Sequence, residues 1–167
     1  MKKILSLTMA LAMLGTALTG CGSKDTATQT PAENTQQTAP VQQEQSQTEK
    51  ALALINTFAI GDTDTARSLL ADGYIQHNLA YGTGADAFIG SVEYLASADV
   101  KTTVNNIRAF EDGDKVFLQT VYNFAGAGEQ VAFDIFRFDE NGKIAEHWDV
   151  METIADQSTW QNQNGKF

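Results

Sequence analysis

Apolar side chains between residues 50 and 100 recur at three- and four-residue intervals, which is the spacing of one face of an α-helix. The first such face consists of Ala51, Leu54, Ile55 and Phe58. Gly61 ends this helix, and Asp62 is suited to cap a second one because its carboxylate can accept free backbone N–H groups. The pattern therefore predicts two consecutive helices in this part of the chain.

Two further segments complete the predicted helical half. The second helix ends at Asp72-Gly73, and residues 74–78 follow as a short connector. A third helix starts after the glycine-rich turn at residues 82–84. The apolar positions of the second helix are Ala66, Leu69 and Leu70, and those of the third are Phe88, Ile89, Val92 and Leu95.

Beyond Lys101 the apolar positions change to the period of β-strands. Turn sequences rich in Gly, Asp and Asn separate four segments that are rich in Val, Ile, Phe and Tyr. The predicted strands are residues 103–110, 115–124, 131–138 and 144–151. Three helices followed by about four antiparallel strands are typical of an α+β fold in which the helices cover one face of the sheet.

The pairing of the last two strands depends on the length of the loop around Asn141-Gly142. A two-residue loop places Asp134 opposite Asp149, whereas a three-residue loop pairs Asp134 with Trp148. A shift of one residue turns all side chains of a strand to the other face of the sheet, so the sequence leaves this register open.

The N-terminus has the order of a secretion signal, with a basic head at Lys2 and Lys3, an apolar stretch and small residues before Cys21. The sequence Leu-Thr-Gly-Cys at residues 18–21 resembles the lipobox of bacterial lipoproteins. The resemblance implies a signal peptide over residues 1–20, a lipid such as palmitate on Cys21, and a location on the extracytoplasmic face of a bacterial cell membrane. An ordinary signal peptide is the alternative, which the position of the single cysteine disfavours.

Residues 21–48 are predicted to be a disordered tether. Both prolines of the chain lie there, and Val41 is the one aliphatic side chain larger than Ala in residues 22–48. Such a segment cannot bury enough apolar surface to offset its ordering entropy. We expect one folded domain over residues 49–155 and a polar tail over residues 156–167.

The composition excludes several classes of function. The chain carries 21 acidic and 11 basic side chains, a formal net charge of −10. Nucleic-acid binding is not expected, because it requires a basic surface that meets phosphates. A single cysteine excludes an internal disulfide framework and a cysteine-rich zinc site.

Three ionisable side chains fall on the last two predicted strands. His147 and Asp149 point to the same face because strand side chains alternate, and Asp134 lies between large apolar neighbours. Two carboxylates in apolar surroundings raise the pKa of one of them, which suits a general acid or base. A polar network that only satisfies its own hydrogen bonds is the alternative.

A divalent cation held by Asp and His side chains, including His77, is another alternative. No spacing of the HExxH type supports it, so we expect neither a metal nor a cofactor. An apolar pocket is expected among aromatic side chains, for which the candidates are Phe58, Phe88, Phe117, Tyr122, Phe124, Phe133 and Phe136.

Three stretches in order resemble the SnoaL-like branch of the nuclear transport factor 2-like superfamily. They are YIQHN at residues 74–78, DIFRF at residues 134–138 and GKIAEHWDV at residues 142–150. The similarity implies a cone-shaped barrel, in which a curved antiparallel β-sheet packs on about three N-terminal helices and an apolar pocket opens into the cone. Members often form dimers through the outer sheet face, so the resemblance also implies a possible homodimer.

The resemblance also implies roles for individual residues. Asp149 corresponds by motif position to the aspartate base that polyketide cyclases use in an aldol-type ring closure, and steroid isomerases on this fold also use an Asp base. Asp134 would be its partner in the pocket, and His77 and His147 would donate or orient hydrogen bonds. The pocket would include Tyr74, Phe136 and Trp148.

Two hypotheses for function follow. Under the first, Asp149, alone or sharing a proton with Asp134, removes the proton α to the carbonyl group of a small compound, in a cofactor-free cyclisation, isomerisation or lyase reaction. Under the second, the pocket binds a small apolar ligand without a reaction, or the domain displays a surface for a partner in the cell envelope.

Overall fold

The computed structural model describes residues 44–167, which form three helices and one five-stranded sheet. The helices are α1 (Gln47–Ile60), α2 (Thr63–Leu69) and α3 (Ala85–Ser97). The strands are β1 (Leu70–Gln76), β2 (Thr103–Asp112), β3 (Lys115–Asn123), β4 (Gln130–Phe138) and β5 (Ile144–Thr153). The predicted signal peptide, Cys21 and most of the predicted tether lie outside the described residues.

The sheet is mixed and open. Its strand order is β1-β5-β4-β3-β2, in which β1 runs parallel to β5 and the other neighbours are antiparallel. The predicted α+β class, with three helices on one sheet, is confirmed, but β1 and β2 are free edges and the sheet does not close into a barrel. None of the helices within residues 44–167 has the length and apolarity needed to cross a membrane.

Strand β1 corrects the prediction of a helix through Leu70 and a connector over residues 74–78. Helix α2 ends at Leu69, and residues 70–76 pair with β5. The apparent turn Asp72-Gly73 lies in an irregular stretch of β1, where the register with β5 shifts. The sequence contains no local signal for this pairing, because a parallel partner is reached by a long crossover rather than by a hairpin.

Capping groups set the ends of the first two helices. Ser46 and Glu49 form a capping box, in which the Ser46 hydroxyl accepts the Glu49 N–H at 3.1 Å and the Glu49 carboxylate accepts the Ser46 N–H at 2.7 Å. Gly61 ends α1 in the left-handed conformation with a φ of 74°. Asp62 caps α2 as predicted, because its carboxylate accepts the Thr65 N–H at 2.9 Å.

The loop between β4 and β5 settles the open register. It spans residues 139–143 and starts from the pair Phe138–Ile144. The next pair is Arg137–Glu146, so one extra residue of β5 bulges out, and beyond the bulge Asp134 lies directly opposite Asp149. The bulge therefore decides that both carboxylates face the same side of the sheet.

The hydrophobic core lies between the helices and the inner face of the sheet. Its buried members include Leu54, Ile55, Leu69, Phe88, Val92, Val116, Leu118, Phe136 and Ile144. Because α1 and α3 contribute one apolar face each, they cover the sheet without contributing charged groups to its inner face.

The outer face of the sheet is partly covered by the C-terminal tail. Gln119 Nε2 donates to the backbone carbonyl of Lys166 at 2.8 Å, and the Lys166 ammonium lies 2.6 Å from the Glu152 carboxylate. Exposed apolar side chains remain on this face, namely Phe110, Phe117, Phe133 and Val150. A homodimer through this face stays a prediction.

Truncating a buried leucine is expected to cost far more stability than the same change at the surface. Leu54 is fully buried, whereas Leu79 is 99% exposed. We expect Leu54→Ala to lower the free energy of unfolding by about 2–5 kcal/mol, through lost burial and a cavity. Leu79→Ala should change it by less than about 0.5 kcal/mol. Urea unfolding monitored by circular dichroism measures both, and equal losses would contradict this core assignment.

Candidate functional site

A cavity of about 730 Å³ lies between the helices and the inner face of the sheet. This volume is in the range of small-molecule sites. Its wall is mostly apolar and includes Ile55, Phe58, Phe88, Leu95, Phe124, Phe136 and Met151. The sheet adds polar side chains, namely Gln76, Tyr122, Gln130, Asp134, His147 and Asp149. Among the described residues that line it, there is neither Lys nor Arg.

The strand pairings bring the polar side chains together. Asp134 on β4 faces Asp149 on β5, and His147 is two residues from Asp149 on the same face. Gln76 at the end of β1 pairs with His147. One atom from each of Asp134, His147 and Asp149 lies within 4.8 Å of the others. The structure thus brings together three of the four residues predicted to act in catalysis.

Asp134 is the buried member of this group, with 4% of its surface exposed. Both of its oxygens have partners: the Tyr122 hydroxyl donates to Oδ2 at 2.9 Å, and His147 Nε2 lies 3.2 Å from Oδ1. Burial, together with the Asp134 charge, raises the pKa of the Tyr122 hydroxyl, which keeps the phenol protonated and able to donate. Both oxygens of Asp134 are therefore hydrogen-bonded within the part of the chain that the structure describes.

Asp149 is half-buried at the cavity wall. Its Oδ1 accepts a hydrogen bond from Asn78 Nδ2 at 2.6 Å, and within residues 44–167 its other oxygen has no hydrogen-bond partner. Burial is the main cause that raises the pKa of the Asp149 carboxyl; a positive charge on His147 and the Asn78 hydrogen bond oppose it, and Asp134 adds to it. A carboxylate with a raised pKa and one free oxygen is suited to accept a proton from a ligand.

A chain of hydrogen bonds extends from the cluster to β1. Gln76 Nε2 lies 3.0 Å from His147 Nδ1 and 3.3 Å from the Tyr74 hydroxyl oxygen. Burial, followed by the charges of Asp149 and Asp134, raises the pKa of Tyr74, so that hydroxyl also stays protonated. The predicted pocket residue Tyr74 is buried beside the cluster.

His77 and Trp148 lie on the opposite face of the sheet. Their rings stack at a centroid distance of 4.4 Å, with 4° between their planes. His77 Nε2 lies 3.0 Å from the Glu146 carboxylate, which also accepts a hydrogen bond from Arg137 Nε at 2.7 Å. These contacts to His77 and Arg137 lower the pKa of Glu146. The structure does not bring His77 or Trp148 to the cavity.

The predicted aromatic pocket divides between the two faces of the sheet. Phe117 and Phe133 lie on the outer face, where they are partly exposed. The side chains that line the cavity are Phe58, Phe88, Tyr122, Phe124 and Phe136.

Sequence reasoning did not single out Gln76 and Asn78, although both contact the cluster. The signal was present in YIQHN, where Tyr74, Gln76 and Asn78 alternate with residues that face outward. That period of two is typical of a strand.

Within residues 44–167, the side chains of this cluster are also close enough to one another to bind a single metal ion. The members of the cluster are Asp134, His147 and Asp149. A metal ion there would have to displace the hydrogen bonds that Asp134 accepts from Tyr122 and shares with His147. The arrangement as it stands is that of a hydrogen-bonded acid–base group.

Comparison with solved structures shows the fold. An NTF2-like protein of unknown function from Cytophaga hutchinsonii is 14% identical with a TM-score of 0.57, over 66% of this chain and 94% of that one. IdmH from Streptomyces antibioticus, named as a candidate polyketide cyclase, is 19% identical with a TM-score of 0.52, over 65% and 93%. An LEH-like epoxide hydrolase from M. tuberculosis is 18% identical with a TM-score of 0.54, over 62% and 80%.

Comparison with sequences shows the family. No curated protein matches the chain significantly. The family model of the SnoaL-like domain matches residues 51–147, which include most of α1, all elements from α2 to β4, and the first part of β5 up to His147. Because this match spans more than half of the chain, the protein belongs to the SnoaL-like domain family.

Proposed function

We propose that the protein is a cofactor-free acid–base enzyme that removes a proton α to the carbonyl group of a small compound bound in the cavity. The observation that carries this proposal is the state of Asp149. It lines the cavity, its pKa is raised by burial, and one of its oxygens is free of hydrogen bonds within the described residues. These are the properties that a general base requires.

The neighbouring groups support this role for Asp149. Asn78 holds one carboxylate oxygen, which leaves the other oriented for the ligand. Asp134 is fully engaged by Tyr122 and His147, so it acts as a fixed negative charge that raises the basicity of Asp149 rather than as a second base. The proton that Asp149 takes is returned to the product, so the reaction needs neither an oxidant nor a reductant.

The cavity wall indicates the class of substrate. Its surface is largely aromatic and aliphatic, and no Lys or Arg side chain of residues 44–167 lines it. A carboxylate on the substrate would lack a partner there and would be repelled by Asp134 and Asp149. We therefore propose an uncharged carbonyl compound. The candidate polyketide cyclase IdmH shares the fold, which favours an aldol-type cyclisation over the other outcomes.

The N-terminal sequence supports a cellular location for this reaction. The lipobox-like residues 18–21, the polar segment that follows them and the absence of any other cysteine fit a lipidated Cys21. We propose that the domain is tethered to the extracytoplasmic face of a bacterial cell membrane and acts on compounds that reach the cell envelope.

Replacing the proposed base should abolish proton abstraction. We expect Asp149→Asn to lower the rate of deuterium incorporation from D₂O at the α carbons of 2-tetralone by about 10²–10⁴-fold, because an amide cannot accept the proton. Proton NMR measures the exchange. The matched control is Asp112→Asn at an exposed aspartate of the β2–β3 hairpin, which should exchange at the wild-type rate.

The same experiment separates the enzyme from a non-catalytic binding protein, which the large apolar cavity also suits. If 2-tetralone binds to the wild-type protein but its exchange is no faster than in buffer, the protein is a ligand-binding module for this probe. If wild type and Asp149→Asn exchange equally fast, Asp149 is not the base.

The raised pKa of Asp149 also predicts that the difference in stability between Asp149→Asn and wild type depends on pH. A folded-state pKa above the ordinary value means that the folded protein favours protonated Asp149, so wild type loses stability as the pH rises through the raised pKa. We expect Asp149→Asn to be more stable than wild type at pH 7, because the variant carries no charge at this half-buried position. The gap should vanish below pH 3.8, where Asp149 is protonated in both states.

Urea titrations between pH 3 and pH 8 measure this gap in the two proteins. Asp112→Asn again serves as the control and should show no gap that grows with pH. A gap that widens toward low pH would contradict the raised pKa.

Removing the proposed lipid attachment site should release the protein from the membrane. We expect Cys21→Ser, expressed in a bacterium, to lose labelling by an alkynyl palmitate analogue and to leave the membrane fraction. Ser23→Ala is the matched control and should stay labelled and membrane-bound. Fractionation followed by immunoblotting measures both, and a Cys21→Ser protein that remains in the membrane fraction argues against the lipid tether.

A further inference from the structure

Two side-chain amides at the end of β1 have their orientation set by backbone N–H groups. The Asn78 N–H donates to Gln76 Oε1 at 2.9 Å, and the Ala80 N–H donates to Asn78 Oδ1 at 2.9 Å. A backbone N–H can only donate, so the amide atom that it meets must be the oxygen. The NH₂ groups of Gln76 and Asn78 are therefore the ends that face the acid–base cluster.

Each NH₂ group meets one member of the cluster. Asn78 Nδ2 lies 2.6 Å from Asp149 Oδ1, and Gln76 Nε2 lies 3.0 Å from His147 Nδ1. Gln76 Oε1 is slightly farther from His147 Nδ1, at 3.2 Å, and already accepts the Asn78 N–H. An NH₂ group has no acceptor, so Asp149 Oδ1 accepts from Asn78 Nδ2. His147 Nδ1 lies nearer to Gln76 Nε2 than to Gln76 Oε1, which favours Nδ1 as the acceptor of the Gln76 NH₂ group.

We propose that Gln76 is a positioning residue that holds His147 as the neutral tautomer with its proton on Nε2. In this tautomer His147 Nε2 donates to Asp134 Oδ1, which lies 3.2 Å away, and the Tyr122 hydroxyl donates to the other oxygen of Asp134. All hydrogen-bonding atoms along this path are then satisfied with one donor for each acceptor. The carboxamide of Asn78 has the parallel task of holding Asp149 as an acceptor.

The tautomer matters for the basicity of Asp149. An imidazolium at His147 would form an ion pair with the nearby carboxylates and would weaken Asp149 as a base. A neutral His147 leaves the charge of Asp149 uncompensated inside the cavity. This consequence rests on the proposed function, whereas the tautomer itself rests on the hydrogen-bond pattern alone.

The groups around His147 pull in opposite directions. The carboxylates Asp134 from β4 and Asp149 from β5 favour a second proton on the ring by their charge. The hydroxyls of Tyr74 on β1 and Tyr122 on β3 are protonated and neutral. Burial of His147, with 7% of its surface exposed, disfavours the charged ring. The nearer Gln76 Nε2 adds to this preference for the neutral form, because a proton on Nδ1 would meet its NH₂ group before Gln76 Oε1.

Long-range ¹H–¹⁵N NMR of the imidazole rings in the ¹⁵N-labelled full chain tests the proposal at pH 7. In the wild-type protein we expect His147 Nε2 to resonate as a protonated nitrogen and Nδ1 as an unprotonated one. The chain contains two histidines, so a His77→Gln variant assigns the spectrum. A wild-type His147 that is protonated on Nδ1 overturns the proposal, whether or not Nε2 is also protonated.

The variant Gln76→Glu replaces the NH₂ group by an oxygen that can only accept. We expect its His147 Nδ1 signal to move to the protonated position. Gln130→Glu is the matched control, because Gln130 lines the same cavity without a hydrogen bond to His147 within the described residues. Its His147 signals should stay at the wild-type positions.

Two outcomes with the variants contradict the role of Gln76. One is a His147 spectrum that Gln76→Glu leaves unchanged in a folded protein. The other is an equal shift in both variants, which would show a general effect of added negative charge. If Gln76→Glu does not fold, the wild-type spectrum still decides. The two proposals can fail separately. If the protein does not catalyse α-proton exchange but His147 is the neutral Nε2–H tautomer, the proposed enzyme is rejected and the inference about Gln76 stands.

Discussion

Two carboxylates lie side by side in an apolar cavity, and the surrounding structure depends on how their desolvation is offset. A buried negative charge is costly unless hydrogen bonds or opposite charges compensate it. Within residues 44–167, neither Lys nor Arg lines the cavity, and the hydrogen bonds to the two carboxylates come from Tyr122, His147 and Asn78. Tyr122 and His147 hydrogen-bond both oxygens of Asp134, whereas Asn78 hydrogen-bonds one oxygen of Asp149. This unequal division makes one carboxylate structural and leaves the other available for a ligand.

The different hydrogen bonding of Asp134 and Asp149 follows from the geometry of the strands. A bulge in β5 aligns Asp134 with Asp149, and the parallel strand β1 brings Gln76 and Asn78 against the same cluster. The backbone N–H of His77, the residue that follows β1, donates to the carbonyl of His147 at 2.9 Å. This hydrogen bond fixes the end of β1 against β5. The donors are therefore held by backbone hydrogen bonds rather than by flexible side chains alone, which is how a site keeps a defined protonation pattern.

The same geometry explains why the motif-based site divides in two. Strand side chains alternate, so a motif of consecutive residues such as EHWD contributes to both faces of the sheet. His147 and Asp149 face the cavity, whereas Glu146 and Trp148 join His77 and Arg137 in an outer-face cluster. The outer cluster packs against the back of the strands that carry the site. This outer cluster lies on the face of the sheet opposite the cavity, and we give it no catalytic role.

Local patterns in the sequence were sufficient for the helices, the four antiparallel strands and the candidate carboxylates, because periodicity, caps and turn residues act within a few residues of one another. Apart from the alternation in YIQHN, the same patterns could not reveal the pairing of β1 with β5, the bulge beside Phe138, or the contacts of Gln76 and Asn78 with the cluster. Those features depend on pairing between segments far apart in the chain, where a shift of one residue exchanges the two faces. The sequence by itself therefore determined which chemical groups the protein has, and the tertiary structure decided which of them meet.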